Sequence, residues 1–267
     1  MVERTLGRIM QRSPALKRRL WQAWYHVLSF TIQTADVTFL NYGYADEEQL
    51  ALAPEDEPDR YCIQLYHRVA GAVDLQGWRV LEVGSGRGGG CSYVARYLGP
   101  ESVCGVDYSQ KAVAFCRRVH SVDSLTFRHG DAEALPFDPQ SFDAVINVES
   151  SHCYGSMERF LGEAARVLRP GGFLLWADLR ERGLAARLHD QFGGAGFRIV
   201  EEEEITTNVL RAMDLDHQRK RELIARHAPK FAGGALSAFA GLKGSPVYDA
   251  MQSGETIYLR CVLQKEG

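Results

Sequence analysis

The residues of this chain best placed to do chemistry begin with Glu82-Val83-Gly84-Ser85-Gly86-Arg87-Gly88-Gly89-Gly90. An apolar run over 79–83 leads into the glycines and an amphipathic run over 90–98 follows, so strand, glycine turn and helix succeed one another. Glycines let the backbone turn sharply and let a ligand approach where a Cβ would collide. The following helix offers unpaired N–H groups and a positive dipole end to an anion. Asp107 closes the next apolar run, where an acid can accept hydrogen bonds from both hydroxyls of a ribose. A nucleotide-like ligand is therefore expected. Gly84, Gly86 and Gly89 also satisfy G-x-G-x-x-G, so a nicotinamide or flavin dinucleotide fits the turn almost as well. Glu82 weighs against it. A carboxylate just before the first glycine is unfavourable beside phosphates and suits a ligand carrying an ammonium group.

Such a turn needs a sheet to hold it. Short apolar runs recur at 103–106, 125–129, 144–148 and 173–177, with amphipathic stretches at 109–119 and 160–168 between them. Strands alternating with helices imply crossover units and a parallel sheet. Two further strands over 197–200 and 256–263, with a helix over 184–192 before them, complete the pattern. The expected fold is α/β: a doubly wound, Rossmann-like, mostly parallel seven-stranded sheet. Residues 1–58 read as an N-terminal helical lid segment, 59–205 as the nucleotide-binding core, 206–252 as a helical cap insertion and 253–267 as the last strand. The insertion carries helices over 215–227 and 231–242, and would cover the carboxyl ends of the strands.

With 267 residues the chain fits one large domain, plain or with an elaborated cap. A net charge of −3 gives no global attraction to nucleic acid. The six cysteines are scattered without a Cys-x-x-Cys pair, which points to reduced thiols in a cytoplasmic chain and to no metal site. One local basic patch exists: Arg4, Arg8, Arg12, Lys17, Arg18 and Arg19, followed by Trp21, Trp24, Tyr25, Leu28 and Phe30 at roughly helical spacing. Such a helix either packs its aromatic stripe on the core or lies on an anionic membrane surface, so a peripheral membrane contact stays open. No apolar run approaches the roughly 20 residues that span a bilayer.

Val80-Leu81-Glu82-Val83-Gly84-Ser85-Gly86-Arg87-Gly88-Gly89 resembles motif I of the class I S-adenosylmethionine-dependent methyltransferases. Three more of that family's motifs follow in order, at Gly130 to Phe137, Ser141 to Asn147 and Leu168 to Gly172. Asp56-Glu57-Pro58-Asp59-Arg60, Leu65-Tyr66-His67-Arg68 and Glu149-Ser150-Ser151-His152-Cys153-Tyr154 look more narrowly like the mycobacterial phthiotriol/phenolphthiotriol dimycocerosates methyltransferases, which methylate a secondary hydroxyl on a long lipid. The resemblance implies S-adenosylmethionine as cofactor, S-adenosylhomocysteine as product and an apolar small-molecule acceptor. It implies that Gly84, Ser85, Gly86 and neighbouring backbone hold the methionyl part, with Glu82 on its ammonium and Asn147 at its end. Asp107 would take the ribose, Tyr108 would flank the adenine, and Asp131 with the Ala132 N–H would read the ring. Tyr42 and Tyr44, in Asn41-Tyr42-Gly43-Tyr44, resemble a lid over the cofactor.

His152 is the candidate base. An alcohol has a pKa far above neutrality, so removing its proton during attack helps, and histidine titrates in the useful range. Asp178, after the fifth strand, would orient the imidazole and stabilise its protonated form; Glu149 is a weaker alternative base. The reading is methyl transfer to a hydroxyl of a lipid, polyketide or similar molecule. Carbon methylation of a prenyl- or sterol-like alkene is the alternative, followed by a non-catalytic cofactor-binding protein.

Overall fold

The computed structural model describes residue 34 and residues 36–48, 50–227 and 233–267. The basic and aromatic stretch from Arg4 to Phe30 and the start of the expected helix at Phe231 lie outside them. Seven strands form one sheet: β1 (Arg79–Val83), β2 (Ser102–Asp107), β3 (Leu125–His129), β4 (Phe142–Val148), β5 (Leu168–Glu181), β6 (Phe197–Glu204) and β7 (Thr256–Lys265). Their order is β3-β2-β1-β4-β5-β7-β6. The first five are parallel, and β7 inserts antiparallel between β5 and β6. From β1 the chain winds outward through β2 and β3, then returns to β4 on the other side. The crevice between the diverging crossovers opens at the carboxyl ends of β1 and β4.

Side chains alternate across a strand, and here both faces are covered. Val80, Ala144, Ile146 and Leu175 join one core cluster, and Leu81, Val83, Val145, Leu174 and Trp176 join the other. This two-sided burial explains why the strands read as unbroken apolar runs. Helix α1 (Arg60–Ala70) and α2 (Gly89–Tyr97) lie over the first cluster. Helix α3 (Gln110–Val119), capped by Ser109, joins β2 to β3, and α4 (Met157–Val167), capped by Ser156, joins β4 to β5. Helix α5 (Ala186–Gly194) precedes β6.

Two expectations are adjusted. Strand β5 does not stop at Ala177 but runs to Glu181, because Asp178 to Glu181 still pair with β7 and the polar side chains find partners there. The insertion before β7 holds α6 (Thr206–Leu215), α7 (His217–His227), α8 (Gly233–Phe239) and α9 (Pro246–Gln252), so it begins and ends in helices that the apolar pattern missed. Residues 36–48 and 50–56 contain no helix; the stretch over 36–42 runs as an irregular strap along the carboxyl edge of the sheet, and Ala53 and Asp56 are fastened to Tyr97 and Arg96 at the far end of α2. Among the described residues no helix is long and apolar enough to cross a membrane. All six cysteines are free.

Two helical glycines separate packing from propensity. A Cβ on Gly90 would sit 2.0 Å from the buried Tyr66 ring, whereas one on Gly162 would meet nothing within 4 Å. Alanine gains about 1 kcal/mol over glycine in a helix, but overpacking costs about 1–3 kcal/mol. Gly90→Ala is therefore expected to lower the unfolding free energy while Gly162→Ala raises it by up to about 1 kcal/mol. Denaturant midpoints for the two variants check the opposite signs.

Candidate active site

A cavity of about 1260 Å³ opens at the carboxyl ends of β1, β2, β4 and β5. Pockets for one drug-sized ligand span roughly 300–1,000 Å³, so this one has room for a cofactor and an acceptor together. Its nucleotide half is built from the glycine turn. The Gly84 and Ser85 N–H groups bond the Val106 carbonyl at 2.8 and 3.0 Å, tying the turn to β2. Gly86 has φ +52° and a Cβ there would meet only Leu40 at 3.7 Å, so its face is open to a ligand. Both oxygens of Asp107 are held by backbone, from Gly86 N at 2.9 Å and Ser109 N at 2.8 Å. That fixes the carboxylate and leaves a lone pair on each oxygen for a vicinal diol. Ser85 Oγ is buried with no hydrogen-bond partner among the described residues, a second polar atom awaiting a ligand. Asp131 and Ala132 line the far end, with the half-exposed Tyr108 ring at the rim. An open glycine, an acid set for a diol and an orphan hydroxyl fit S-adenosylmethionine.

Three expected cofactor residues lie elsewhere. Glu82 sits beneath the turn, outside the cavity wall, accepting from the Tyr66 hydroxyl at 2.6 Å and the Cys91 thiol at 2.8 Å. Alternation along β1 turns it toward α1 and α2 rather than toward the ligand, and burial pushes its pKa up to about 7. Asn147 is fully buried; its amide donates to the Val83 carbonyl at 2.9 Å and reaches Ser150 Oγ and Tyr154 Oη, a brace behind the turn. Tyr44 packs in the core with Ile63 and Leu65, while Tyr42 lines the cavity. Gly43, at φ +94°, breaks the alternation that would have put both rings on one side. His67 bonds the Tyr93 hydroxyl at 2.8 Å and is not a wall residue.

Beyond β4 the chain makes a short 3-10 turn, Ser151–Cys153, that presents His152 to the cavity. His152 Nδ1 lies 2.7 Å from Asp178 Oδ1, and Asp178 has no solvent exposure. The other carboxylate oxygen accepts from the His152 N–H at 2.8 Å and the Ser151 hydroxyl at 2.6 Å. Trp176, Asp178 and Arg180 alternate along one face of β5, and all three converge on this turn. The Trp176 indole donates to Ser151 Oγ at 2.9 Å, and Arg180 bonds the same hydroxyl at 2.7 Å and pairs with Asp178 at 3.1 Å. Burial alone would raise the Asp178 pKa, but His152, Arg180 and Ser151 hold it well below the usual carboxylate range. Burial works to lower the His152 pKa, yet Cys153 and the Asp178 carboxylate lift it well above its ordinary value. Ser151, Arg180 and Trp176 were missed in the sequence; for Trp176 and Arg180 the signal was their period-two spacing with Asp178.

Glu149 stands between the two halves, in the wall and at φ +46°. Its Oε1 accepts the Tyr42 N–H and the Tyr258 hydroxyl, each at 2.9 Å, and burial pushes its pKa up to about 7. Tyr258, on β7, is a further residue the sequence did not flag. The acceptor half is apolar, with Leu40 and Tyr42 from the strap, Leu179 from β5, and Ala238, Phe239, Pro246 and Val247 from the insertion. The strap is fastened at several points: Gly89 N to Thr38 O, Arg87 to the Thr34 and Val37 carbonyls, and Lys220 to the Asn41 and Tyr42 carbonyls.

Comparison with known proteins agrees with this geometry. A family profile described as a methyltransferase domain matches residues 81–176. The phthiotriol/phenolphthiotriol dimycocerosates methyltransferase of Mycobacterium leprae is 40% identical over 91% of both chains. The fatty-acid O-methyltransferase of Mycolicibacterium smegmatis is 42% identical over 77% of this chain and 76% of its own. Among solved structures, the [4+2]-cyclase SpnF superposes with a TM-score of 0.72 at 24% identity, covering 94% of this chain and 96% of its own. At that identity the likeness shows the fold alone.

The dyad sets a sign for titration. A His whose folded pKa exceeds its ordinary 6.5 contributes stability fully below that value, and loses it as pH rises through the folded pKa. Asp178 does the opposite: its contribution holds above its ordinary 3.8 and is lost as pH falls toward the depressed value. Imidazole NMR titration is expected to place His152 above 6.5 in the native chain. Asp178→Asn is expected to drop it, since burial then acts with less opposition; an unmoved titration would show that Asp178 does not govern this ring.

Proposed function

This chain belongs to the class I S-adenosylmethionine-dependent methyltransferases of the phthiotriol/phenolphthiotriol dimycocerosates methyltransferase family, and we propose that it methylates a hydroxyl of an apolar, lipid-like molecule with His152 as base. The observation that carries the reading is the 2.7 Å contact of His152 Nδ1 with a fully buried Asp178, in the wall of the same cavity as the glycine turn. When bound, the cofactor supplies a methyl group on a positively charged sulfur. Asp107 holds the ribose hydroxyls, Asp131 and the Ala132 N–H read the adenine, Tyr108 flanks it, and Gly84, Ser85 and Gly86 hold the methionyl part. Tyr42, Leu179, Phe239 and Val247 surround the acceptor and exclude water, so that its oxygen meets the methyl in line.

His152 would take the proton from the acceptor hydroxyl, whose oxygen would receive the methyl group that the cofactor supplies, with the neutral thioether as leaving group. Asp178 engages Nδ1, which makes Nε2 the accepting nitrogen, and its negative charge stabilises the imidazolium that results. A built base also separates two acceptor classes, since the relatives are named for a phthiotriol and for a fatty acid. A carboxylic acid has already lost its proton at neutral pH and needs no base. A hydroxyl is the acceptor that this arrangement serves.

His152→Ala is expected to lower kcat roughly 10²–10⁴-fold while leaving S-adenosylhomocysteine affinity nearly unchanged. Because the neutral imidazole is the active form, kcat should rise with pH through an inflection above 6.5 in the native enzyme. Rates on a long-chain secondary alcohol and on a fatty acid of equal length, measured across pH, check both points. Faster turnover of the acid, or a flat profile with an active alanine variant, would remove His152 from the chemistry.

A further inference from the structure

We propose that Glu149 is the counter-charge for the α-ammonium group of the cofactor's methionyl part. The inference rests on the cofactor alone and not on the identity of the acceptor. Glu149 lies in the cavity wall at the end of β4, and the next residue, Ser150, packs so closely on Gly84 that a Cβ there would collide with its hydroxyl. Glu149 thus lines the same cavity as Gly84, Ser85 and Gly86, the turn that receives the methionyl part, one residue from the side chain packed on that turn. Its left-handed backbone, rare for a residue with a side chain, is pinned by its N–H on the Ala177 carbonyl at 2.9 Å.

The neighbouring cations are engaged elsewhere. Arg180 and His152 pair with Asp178, and Lys220 faces Asp216 and the strap carbonyls. Among the described residues Glu149 forms no ion pair, and its Oε1 is held by two neutral donors, the Tyr42 N–H and the Tyr258 hydroxyl. A desolvated carboxylate without a cation is costly, and a ligand that brings one relieves that cost. Glu82 is less well placed: it accepts from Tyr66 and Cys91 below the turn and does not line the cavity. Pairing with the ammonium rather than the sulfonium also suits catalysis. The ammonium charge does not change during methyl transfer, so its contact holds the cofactor equally in ground and transition states. A carboxylate on the sulfonium would stabilise a charge that disperses in the transition state, and so would slow the step.

Calorimetric titration with two neutral-sulfur ligands tests this. S-adenosylhomocysteine carries the ammonium, and 5′-methylthioadenosine has the same nucleoside and thioether without the amino-acid part. Glu149→Gln is expected to weaken S-adenosylhomocysteine roughly tenfold to a hundredfold, the worth of a charged hydrogen bond, and to leave methylthioadenosine unchanged. Tyr258→Phe, which releases Oε1, should shift the first ligand in the same direction by a smaller factor and not the second. Should the glutamine variant fail to fold, the phenylalanine variant carries the comparison. Unchanged S-adenosylhomocysteine binding, or equal loss for both ligands, overturns the proposal.

Discussion

A carboxylate with no access to water organises the reactive end of this protein. Asp178 is tolerable in the sheet only because its charge is balanced on every side: His152 and Arg180 supply cationic partners, and Ser151 and the His152 N–H supply hydrogen bonds. Each partner is thereby fixed. The 3-10 turn after β4 is drawn against β5, Arg180 is laid along Trp176 with its guanidinium 5.0 Å from the ring, and the imidazole of His152 is held in one orientation. Breaking any one contact would leave a buried charge short of a partner, so the dyad and the end of the sheet stand or fall together.

The same economy of faces decides which polar residues reach the ligand. Side chains that alternate into the layer under α1 and α2, such as Glu82, are consumed by neighbours, while residues at or just past a strand end, such as Asp107, Glu149 and His152, open into the cavity. The strap and the insertion then close the acceptor half. Both are needed, because neither the irregular segment over 36–45 nor α8 and α9 could wall the cavity alone. Methyl transfer gains from that closure, since water excluded from the site neither competes as acceptor nor screens the dyad.

Much of this was legible in the sequence. The seven strands, the doubly wound order, the glycine turn, Asp107 and the pairing of His152 with Asp178 follow from apolar runs, glycine spacing and strand-end acids. The rest depends on contacts between distant segments. The end of β5 was hidden because Asp178 and Arg180 interrupt the apolar pattern, and only β7 and Ser151 make them welcome there. Tyr44 was misplaced because one glycine with positive φ turns the ring into the core. Glu82 and the Asn147 amide N–H groups hold the turn itself, a use that their position in the motif does not announce. Tyr258 gives no sign in its local sequence; its role exists only because β7 lies beside β5 and its hydroxyl reaches Glu149.

The central claim is that the methyl group lands on oxygen. Its most direct test is to incubate the purified protein with S-adenosylmethionine labelled at the methyl carbon and a long-chain secondary alcohol, then locate the labelled carbon in the product by NMR. The account predicts one new carbon bonded to oxygen, formed in step with S-adenosylhomocysteine. A labelled methyl bonded to carbon, or cofactor binding with no labelled product across a range of lipid alcohols, would contradict it.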